Sequence, residues 1–302
     1  MRKKINIIID TDPGVDDAIA DIMALFEKRL NILLFTTVAG NVDTDTCTRN
    51  ILHILEYYNK NIPVAVGAKK PLTREHRDAK FIHGEEGTGK YTPSQPSLTP
   101  VSDDAVEAMY KAILAHKNNV TVLLLGPQTN MAELLTRHPE VEDMISRIIY
   151  MGASGYGQKG IKPHISFNIS SDPEAFKKVL KSKIPLTMIP SEIGRGSHLK
   201  EWQVEKIKQN KIVGKMMFEM LDGYWEPGYE EKVVAMNDSC AIYYLLHPTI
   251  FKTKKAFIDV NTTTKPGKTY FHYHKRGRVD AVYKVNVKKF HSFFFKHLNK
   301  IK

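Results

Sequence analysis

Short apolar runs alternate with longer amphipathic stretches along the first two thirds of this chain. The runs are rich in Val, Ile and Leu and predict β-strands at residues 5–9, 32–38, 63–66, 120–125, 145–150 and 185–189. The stretches between them predict helices at residues 18–28, 45–58, 103–116, 129–136 and 172–180. This alternation predicts an α/β fold with a mixed, mainly parallel sheet and helices on both faces.

The pattern changes after residue 199 and becomes mostly helical to about residue 246. A β segment with poor alternation at 258–285 and an aromatic-rich helix at 286–299 follow. Two long irregular stretches follow from the pattern, 68–101 and 151–171. Loops of this length in a compact domain usually have a function. Because no internal repeat or Gly-, Ser- or Pro-rich linker divides the chain, we expect one domain over residues 1–302.

The composition excludes several classes of protein. Hydrophobic residues at 42% and charged residues at 25% are typical of a globular chain. No apolar stretch approaches the roughly 20 residues of a membrane span, and the N-terminus lacks a signal-peptide pattern. Two cysteines, Cys47 and Cys240, indicate neither a disulfide framework nor a zinc site. We therefore expect a cytoplasmic protein.

The net charge of +11 is concentrated near the C-terminus. Residues 252–302 hold 14 Lys and Arg residues but only two acids, Asp259 and Asp280, and form a basic extension. One interpretation is attraction of phosphates or nucleic acid, and the other is a solvated basic face. Because no nucleic-acid-binding motif accompanies the charge, the second interpretation is favoured.

The stretch DTDPGVDD, residues 10–17, places four aspartates where the first predicted strand ends. Helix capping accounts for one or two of these acids, but not for four. Carboxylates this close repel one another, so a cation is expected among them. Ligands bind at the carboxyl ends of parallel strands, and oxygen-only ligands suit Ca²⁺ or Mg²⁺. The stretch therefore predicts a divalent metal site.

Other predicted elements supply matching polar groups, in the segments VAGN (38–41), LGPQTNMA (125–132), FNISSDPEA (167–175) and NDSCA (237–241), and the irregular stretch 68–101 contains HGEEGTG (83–89). With DTDPGVDD, these segments resemble the nucleoside hydrolases, often called inosine-uridine-preferring, in the same order across about residues 5–250. The resemblance implies the nucleoside hydrolase fold and one Ca²⁺. It also implies hydrolysis of the N-glycosidic bond of small ribosides in purine or pyrimidine salvage, by a homodimer or homotetramer.

The resemblance also implies roles for individual residues. The metal ligands would be Asp12, Asp17, Asp238 and the backbone carbonyl of Thr129, and Asp12 would be the general base. Asp16, Asn41 and Asn168 would help to hold the ribose hydroxyls that bind the metal. Since vicinal hydroxyls complete the metal shell, deoxyribosides should react poorly.

The chain departs from the family pattern near the ribose 5′ position. Many members have G-N-x-x-P-x-x-E-F-N there, whereas this chain has Gly160 in place of the amide and Ser166 in place of the carboxylate. A phosphate or another 5′ group is one interpretation, with cationic contacts from Lys159, Lys162, His164 or Arg195 of the Gly-Arg-Gly stretch 194–196. The alternative is that the lysines point into solvent.

A further departure is Asn237, which stands beside Asp238 where nonspecific members have a histidine as leaving-group acid. Asparagine cannot donate a proton as an acid. His83 is one candidate for this role, and the others are Tyr224, Trp225 and Tyr229 of the segment 222–231, which is predicted to be a mobile lid.

The sequence thus predicts a Ca²⁺-dependent hydrolase of the N-glycosidic bond of ribonucleosides. Two alternatives stay open: a hydrolase for a 5′-modified or 5′-phosphorylated riboside, and a metal- and ribose-binding protein with little turnover. The sequence predicts no membrane partner and does not favour a nucleic-acid partner.

Overall fold

A nine-stranded sheet forms the centre of the computed structural model, which describes residues 4–154 and 164–302. Its strands are β1 (Ile5–Thr11), β2 (Leu30–Thr37), β3 (Val64–Val66), β4 (Thr121–Leu124), β5 (Arg147–Met151), β6 (Leu186–Ile189), β9 (Phe251–Val260), β10 (Thr269–Tyr273) and β11 (Val279–Val285). Two further strands, β7 (Leu199–Lys200) and β8 (Val233–Val234), pair separately. All six strands predicted for the first two thirds are present, with ends that differ by at most two residues.

The strand order is β10-β9-β11-β6-β5-β4-β1-β2-β3. Pairing is parallel from β3 across to β11, and β9 runs antiparallel to both of its neighbours. The predicted mixed, mainly parallel sheet is confirmed. The strands of the basic C-terminal segment extend this same sheet, and one domain over residues 1–302 stays a prediction.

Helices cover both faces, as predicted. They are α1 (Val15–Leu25), α2 (Thr44–Tyr57), α3 (Lys80–His83), α4 (Ala105–Ala115), α5 (Thr129–Arg137), α6 (Phe167–Ser171), α7 (Pro173–Lys181), α8 (Ser191–Gly196), α9 (Glu201–Ile207), α10 (Gly214–Leu221), α11 (Asn237–Leu246) and α12 (Val287–Leu298). The apolar residues form two hydrophobic cores, one on each face of the sheet, and strand β1 contributes to both. Ile7 and Ile9 pack with α1, α2 and the helices after α8, whereas Ile8 packs with α4, α5 and α7.

Two elements begin at least three residues earlier than the sequence predicts. Helix α1 begins at Val15 rather than at residue 18, so two aspartates of the DTDPGVDD stretch lie in its first turn. Strand β9 begins at Phe251 rather than at residue 258. The polar run 252–255 hid its start, because a strand is recognised by alternation of apolar and polar residues.

The sheet also determines where a ligand can bind. From β1 the chain proceeds to β2 and β3 on one side, whereas β4 lies on the other side of β1. A crevice outside the carboxyl ends of the strands is expected at such a switch point. The segments after β1 and β4, which carry DTDPGVDD and LGPQTN, both end at this crevice. Among the described residues, no helix has the length and apolar character that crossing a membrane requires.

Candidate metal centre and active site

Four buried carboxylates meet at the carboxyl end of β1: those of Asp12, Asp16, Asp17 and Asp238. One oxygen from each of Asp16, Asp17 and Asp238 lies within 4.8 Å of the other two. The backbone N–H of Asp12 donates to Asp17 Oδ1 at 3.4 Å, which places Asp12 beside this group. The fold therefore brings Asp238, from the first turn of α11, to the acids of the first strand.

The local sequence holds Asp17 firmly at the start of α1. Its carboxylate accepts hydrogen bonds from the backbone N–H of Gly14 at 3.3 Å and from Thr11 Oγ1 at 3.0 Å. Asn41 Nδ2, from the end of β2, donates to Asp17 Oδ2 at 2.9 Å and to the carbonyl of Asp12 at 3.1 Å. The amide of Asn41 thus positions two acids of the cluster.

The carboxylate of Asp12 has room between the neighbouring segments only because two glycines lie against it. Its Oδ2 accepts from the backbone N–H of Asn41 at 2.8 Å. A Cβ at Gly40 would lie 1.9 Å from Asp12 Oδ2, and one at Gly126 would lie 2.6 Å from Asp12 Oδ1. Both distances are far below van der Waals contact. The VAGN and LGPQTN segments therefore create the space for this carboxylate.

The electrostatics of the cluster indicate a cation. Within the described residues, no lysine or arginine forms an ion pair with any of the four carboxylates. Burial, and then repulsion by Asp17, raises the pKa of Asp12 and of Asp238 well above the usual range. Burial, and then Asp16, raises the pKa of Asp17 to about 6. Asp12 Oδ1 and Asp238 Oδ1 have no hydrogen-bond partner. Buried oxygen donors with this excess of negative charge fit a hard divalent cation.

Two further predicted residues lie at neighbouring strand ends. Asn168, on α6, is buried and donates from Nδ2 to the carbonyls of Leu125 and Met151, which follow β4 and end β5. Thr129 is buried at the start of α5, and its hydroxyl donates to Asp172 Oδ2 at 2.7 Å. Both residues therefore lie at the same edge of the sheet as the carboxylates, and their roles in a site stay predictions.

His83 reaches the same edge from the long segment 68–101. Its Nδ1 accepts from the backbone N–H of Val15 at 3.0 Å, so the ring proton lies on Nε2. The distance from Nδ1 to Asp16 Oδ1 is 3.9 Å. Burial lowers the pKa of His83, against an opposing effect of Asp16. The site therefore contains a neutral imidazole with one N–H available for donation.

Asn237 has a defined place beside Asp16. It is the first residue of α11, and its Nδ2 donates to Asp16 Oδ2 at 3.0 Å. A Cβ at Gly194 would lie 2.3 Å from Asn237 Oδ1, so glycine at this position of α8 allows the close approach. The amide orients Asp16.

Within the segment 222–231, the aromatic residue that contacts His83 is Tyr224, with ring centroids 5.1 Å apart. Tyr229 instead donates to the carbonyl of Arg195 at 3.5 Å, and its ring packs edge-on against His198. Arg195 forms an ion pair with Glu226 at 3.1 Å. The protein itself thus provides a partner for this charge, and a cationic contact from Arg195 to a 5′ group stays a prediction.

The predicted 5′ region is partly described. Ser166 is buried at the N-cap of α6. His164 Nε2 lies 3.0 Å from Ser191 Oγ. Lys159, Gly160 and Lys162 lie outside the described residues. The hypothesis of a modified 5′ group therefore stays a prediction.

The sequence assigned no role to two residues that connect the strands below the cluster. Asp10 Oδ1 accepts from Thr36 Oγ1 at 2.5 Å and from Asn130 Nδ2 at 2.7 Å. Asn130 Nδ2 also donates to the carbonyl of Thr37 at 2.9 Å. Burial raises the pKa of Asp10 to about 7. Their positions inside DTDPGVDD and LGPQTN were the available signal, but the sequence could not separate a structural acid from a ligand.

Buried carboxylates at the switch point of a parallel sheet form a group that could hold a metal ion, with a neutral imidazole beside it. The family model described as inosine-uridine preferring nucleoside hydrolase matches residues 7–292. The chain belongs to this family, which is metal-dependent and hydrolyses the N-glycosidic bond of ribonucleosides to base and ribose. The resemblance inferred from the motifs is confirmed.

Individual relatives agree with this assignment. The chain is 37% identical over 259 residues to the non-specific ribonucleoside hydrolase RihC of Escherichia coli (strain SE11), covering 86% of this chain and 84% of that protein. Identity to RihC of Shigella sonnei (strain Ss046) is 36% over the same length.

Solved structures confirm the nucleoside hydrolase fold. The plant nucleoside hydrolase PpNRh1 superposes with a TM-score of 0.91 at 24% identity, covering 98% of this chain and 99% of that chain. A purine-preferring ribonucleoside hydrolase from Gardnerella vaginalis gives a TM-score of 0.89 at 23% identity, with 97% and 98% coverage.

Proposed function

We propose that this chain is a Ca²⁺-dependent ribonucleoside hydrolase whose metal is held by Asp12, Asp17, Asp238 and the backbone carbonyl of Thr129. The observation that carries the proposal is the group of buried carboxylates with no lysine or arginine partner among the described residues. These ligands, two ribose hydroxyls and a water exceed the octahedral shell of Mg²⁺ and suit the larger shell of Ca²⁺.

When bound, the cation neutralises the carboxylates and lowers the pKa of a water molecule. Asp12 then accepts a proton from the water that attacks C1′. Its Oδ1, which has no hydrogen-bond partner in the protein, is the oxygen available for this transfer. The hydrogen bond from Asn41 to Oδ2 holds the carboxylate in position.

The ribose is held by its hydroxyl groups. Cleavage of the N-glycosidic bond gives C1′ oxocarbenium character, so a fixed ring orientation favours the transition state. Asp16 accepts from a ribose hydroxyl, and Asn237 keeps its carboxylate oriented. Asn168 adds a second contact, and the donors of Asn41 support the metal ligands rather than the sugar.

The departing base takes the electron pair of the N–C1′ bond and needs a proton. Asn237 cannot supply one, because it is an amide and donates to Asp16. His83 carries its proton on Nε2, lies beside Asp16 and is backed by Tyr224. We therefore assign leaving-group stabilisation to His83 rather than to Tyr229, which lies against Arg195.

His83→Ala is expected to lower kcat on inosine or uridine by roughly a hundredfold or more, because the leaving base loses its donor. Nitrophenyl riboside should be hydrolysed at nearly the native rate, since its leaving group departs without a proton. Tyr229→Phe is the matched control, and it should change neither rate by more than about threefold. Equal losses of His83→Ala on both substrates would indicate that His83 only positions the substrate.

Rates on a panel of nucleosides and nucleotides separate the two alternative functions from the proposed one. The relatives from Escherichia coli and Shigella are named non-specific, so both purine and pyrimidine ribonucleosides belong in it. Hydrolysis of a nucleoside 5′-monophosphate in preference to its nucleoside would support the modified-5′ alternative. Riboside binding without turnover would support the binding-protein alternative. Cytoplasmic location, a role in salvage and a homodimer or homotetramer stay predictions.

A further inference from the structure

A second cavity lies at the opposite end of the sheet from the carboxylate cluster. It has a volume of about 780 Å³ and is bordered by the end of α1, the end of α11 and the last turns of α12. Arg29 in its lining accepts a hydrogen bond through its carbonyl from the backbone N–H of Ile5, the first residue of β1. The carboxylates follow the other end of this strand, about 20 Å away. The cavity is therefore separate from the hydrolytic site.

Flat rings line part of this cavity. Phe293 stacks on His247 with centroids 3.9 Å apart and an angle of 5° between the planes. Phe26 lies in the same lining. Both phenylalanines are only partly buried. The exposed parts of these two rings can stack with a planar aromatic ligand, and stacking tolerates any base.

Most of the remaining lining is cationic: Lys28, Arg29, Lys296, Lys300 and Lys302. The only acidic side chain in the lining is Glu27, which Arg29 binds through two nitrogens at 3.0 Å and 2.8 Å. Among the described residues, no carboxylate forms an ion pair with any of the four lysines. A concentration of positive charge without compensation suits an anionic ligand.

Arg29 also determines the protonation state of the stacked imidazole of His247. It donates from Nη1 to the carbonyl of Leu246 at 3.3 Å and from Nη2 to His247 Nε2 at 3.2 Å, because a guanidinium has no acceptor. Burial, and then Arg29, lowers the pKa of His247. The ring is neutral and supports the ring of Phe293, since it stacks with both Phe293 and Tyr243.

We propose that this cavity binds a nucleoside phosphate, with its base against Phe293 and Phe26 and its phosphate among the lysines. The cavity volume lies within the range of small-molecule sites. The site differs from the hydrolytic centre in charge: that centre is anionic and requires a metal, whereas this cavity is cationic and requires none.

The test uses 2′-deoxyadenosine 5′-monophosphate, because the hydrolytic site requires both ribose hydroxyls and should bind this probe poorly. Titration calorimetry on the full chain should show affinity at least about tenfold above that for 2′-deoxyadenosine. Lys296→Glu/Lys300→Glu should lose at least about tenfold in affinity for the monophosphate. Ribonucleoside hydrolysis by this variant should stay at the native rate.

The matched control is Lys288→Glu/Lys289→Glu, which changes the same charge on the same helix outside the cavity. It should keep the native affinity within about threefold. Equal losses in the two variants would overturn the proposal, since they would indicate attraction by net charge alone. Equal binding of inorganic phosphate, or much tighter binding of a deoxyadenosine oligonucleotide, would also overturn it.

Discussion

Asp12→Asn is expected to lower kcat for ribonucleoside hydrolysis by about a thousandfold or more, because it removes the general base and one metal ligand together. Asparagine preserves the shape of the side chain and can still accept from the backbone N–H of Asn41. The pocket formed by Gly40 and Gly126 therefore stays filled. Steady-state rates with saturating Ca²⁺ measure the effect.

The control for this variant is Asp21→Asn. Asp21 is fully buried one turn further along α1, and its Oδ2 lies 3.2 Å from Thr11 Oγ1, whose single proton it shares with Asp17. Burial, and then Asp17, raises the pKa of Asp21 well above the usual range, so a neutral amide should be tolerated at this position. Asp21→Asn should retain most of the native activity. If Asp21→Asn lost as much activity as Asp12→Asn, the loss would reflect disruption of the cluster rather than removal of a base.

The metal-free protein is expected to become less stable as the pH rises from about 5 to about 7.5. The pKa of Asp17 is about 6 in the folded protein, above its usual value, because of burial and Asp16. The folded metal-free protein therefore binds protons more tightly than the unfolded chain, and this stabilisation is lost as the pH rises through about 6. From about pH 5 to about pH 7.5, Asp17 alone should cost roughly 1 kcal/mol in the free energy of unfolding. Asp12 and Asp238 add to this loss.

The comparison that tests this effect is denaturant unfolding of metal-free and Ca²⁺-loaded protein at the two pH values. Bound Ca²⁺ should remove the loss, because it stabilises the ionised carboxylates. Asp10 lies outside the ligand set, and its contribution should be similar in both forms and cancel. A metal-free protein that is more stable at the higher pH would contradict the assignment of an uncompensated carboxylate cluster.

Much of the fold could be predicted because parallel strands buried on both faces are continuous apolar runs. Strand β9 is instructive because its start is polar. Lys254 lies over the rings of Tyr273 and Tyr283, at 5.9 Å and 4.7 Å from their centroids. These contacts pair a cation with aromatic residues of β10 and of the end of β11. Periodicity along one strand cannot reveal contacts between strands.

Some residues of the candidate site could be predicted from the sequence more readily than others. Asp12, Asp16 and Asp17 are adjacent in sequence, so their charge density alone indicated a cation. Asp238 stood out as a further acid at the start of a late helix, but its role as a ligand and that of His83 came through the family resemblance, because both lie in segments distant from the first aspartates. The contact of Tyr224 with His83 depends on how an irregular segment packs, and the sequence carries no periodic signal for such packing.

The most direct test of a Ca²⁺-dependent ribonucleoside hydrolase is the release of free base from inosine, uridine and their 2′-deoxy counterparts. It is measured with Ca²⁺-loaded, chelator-treated and Ca²⁺-restored protein. We expect the ribonucleosides to be cleaved and the deoxyribonucleosides to react about a hundredfold more slowly or worse. Chelation should abolish the activity, and Ca²⁺ should restore it. Full activity in metal-free protein with excess chelator, or equal rates on ribosides and deoxyribosides, would contradict the account.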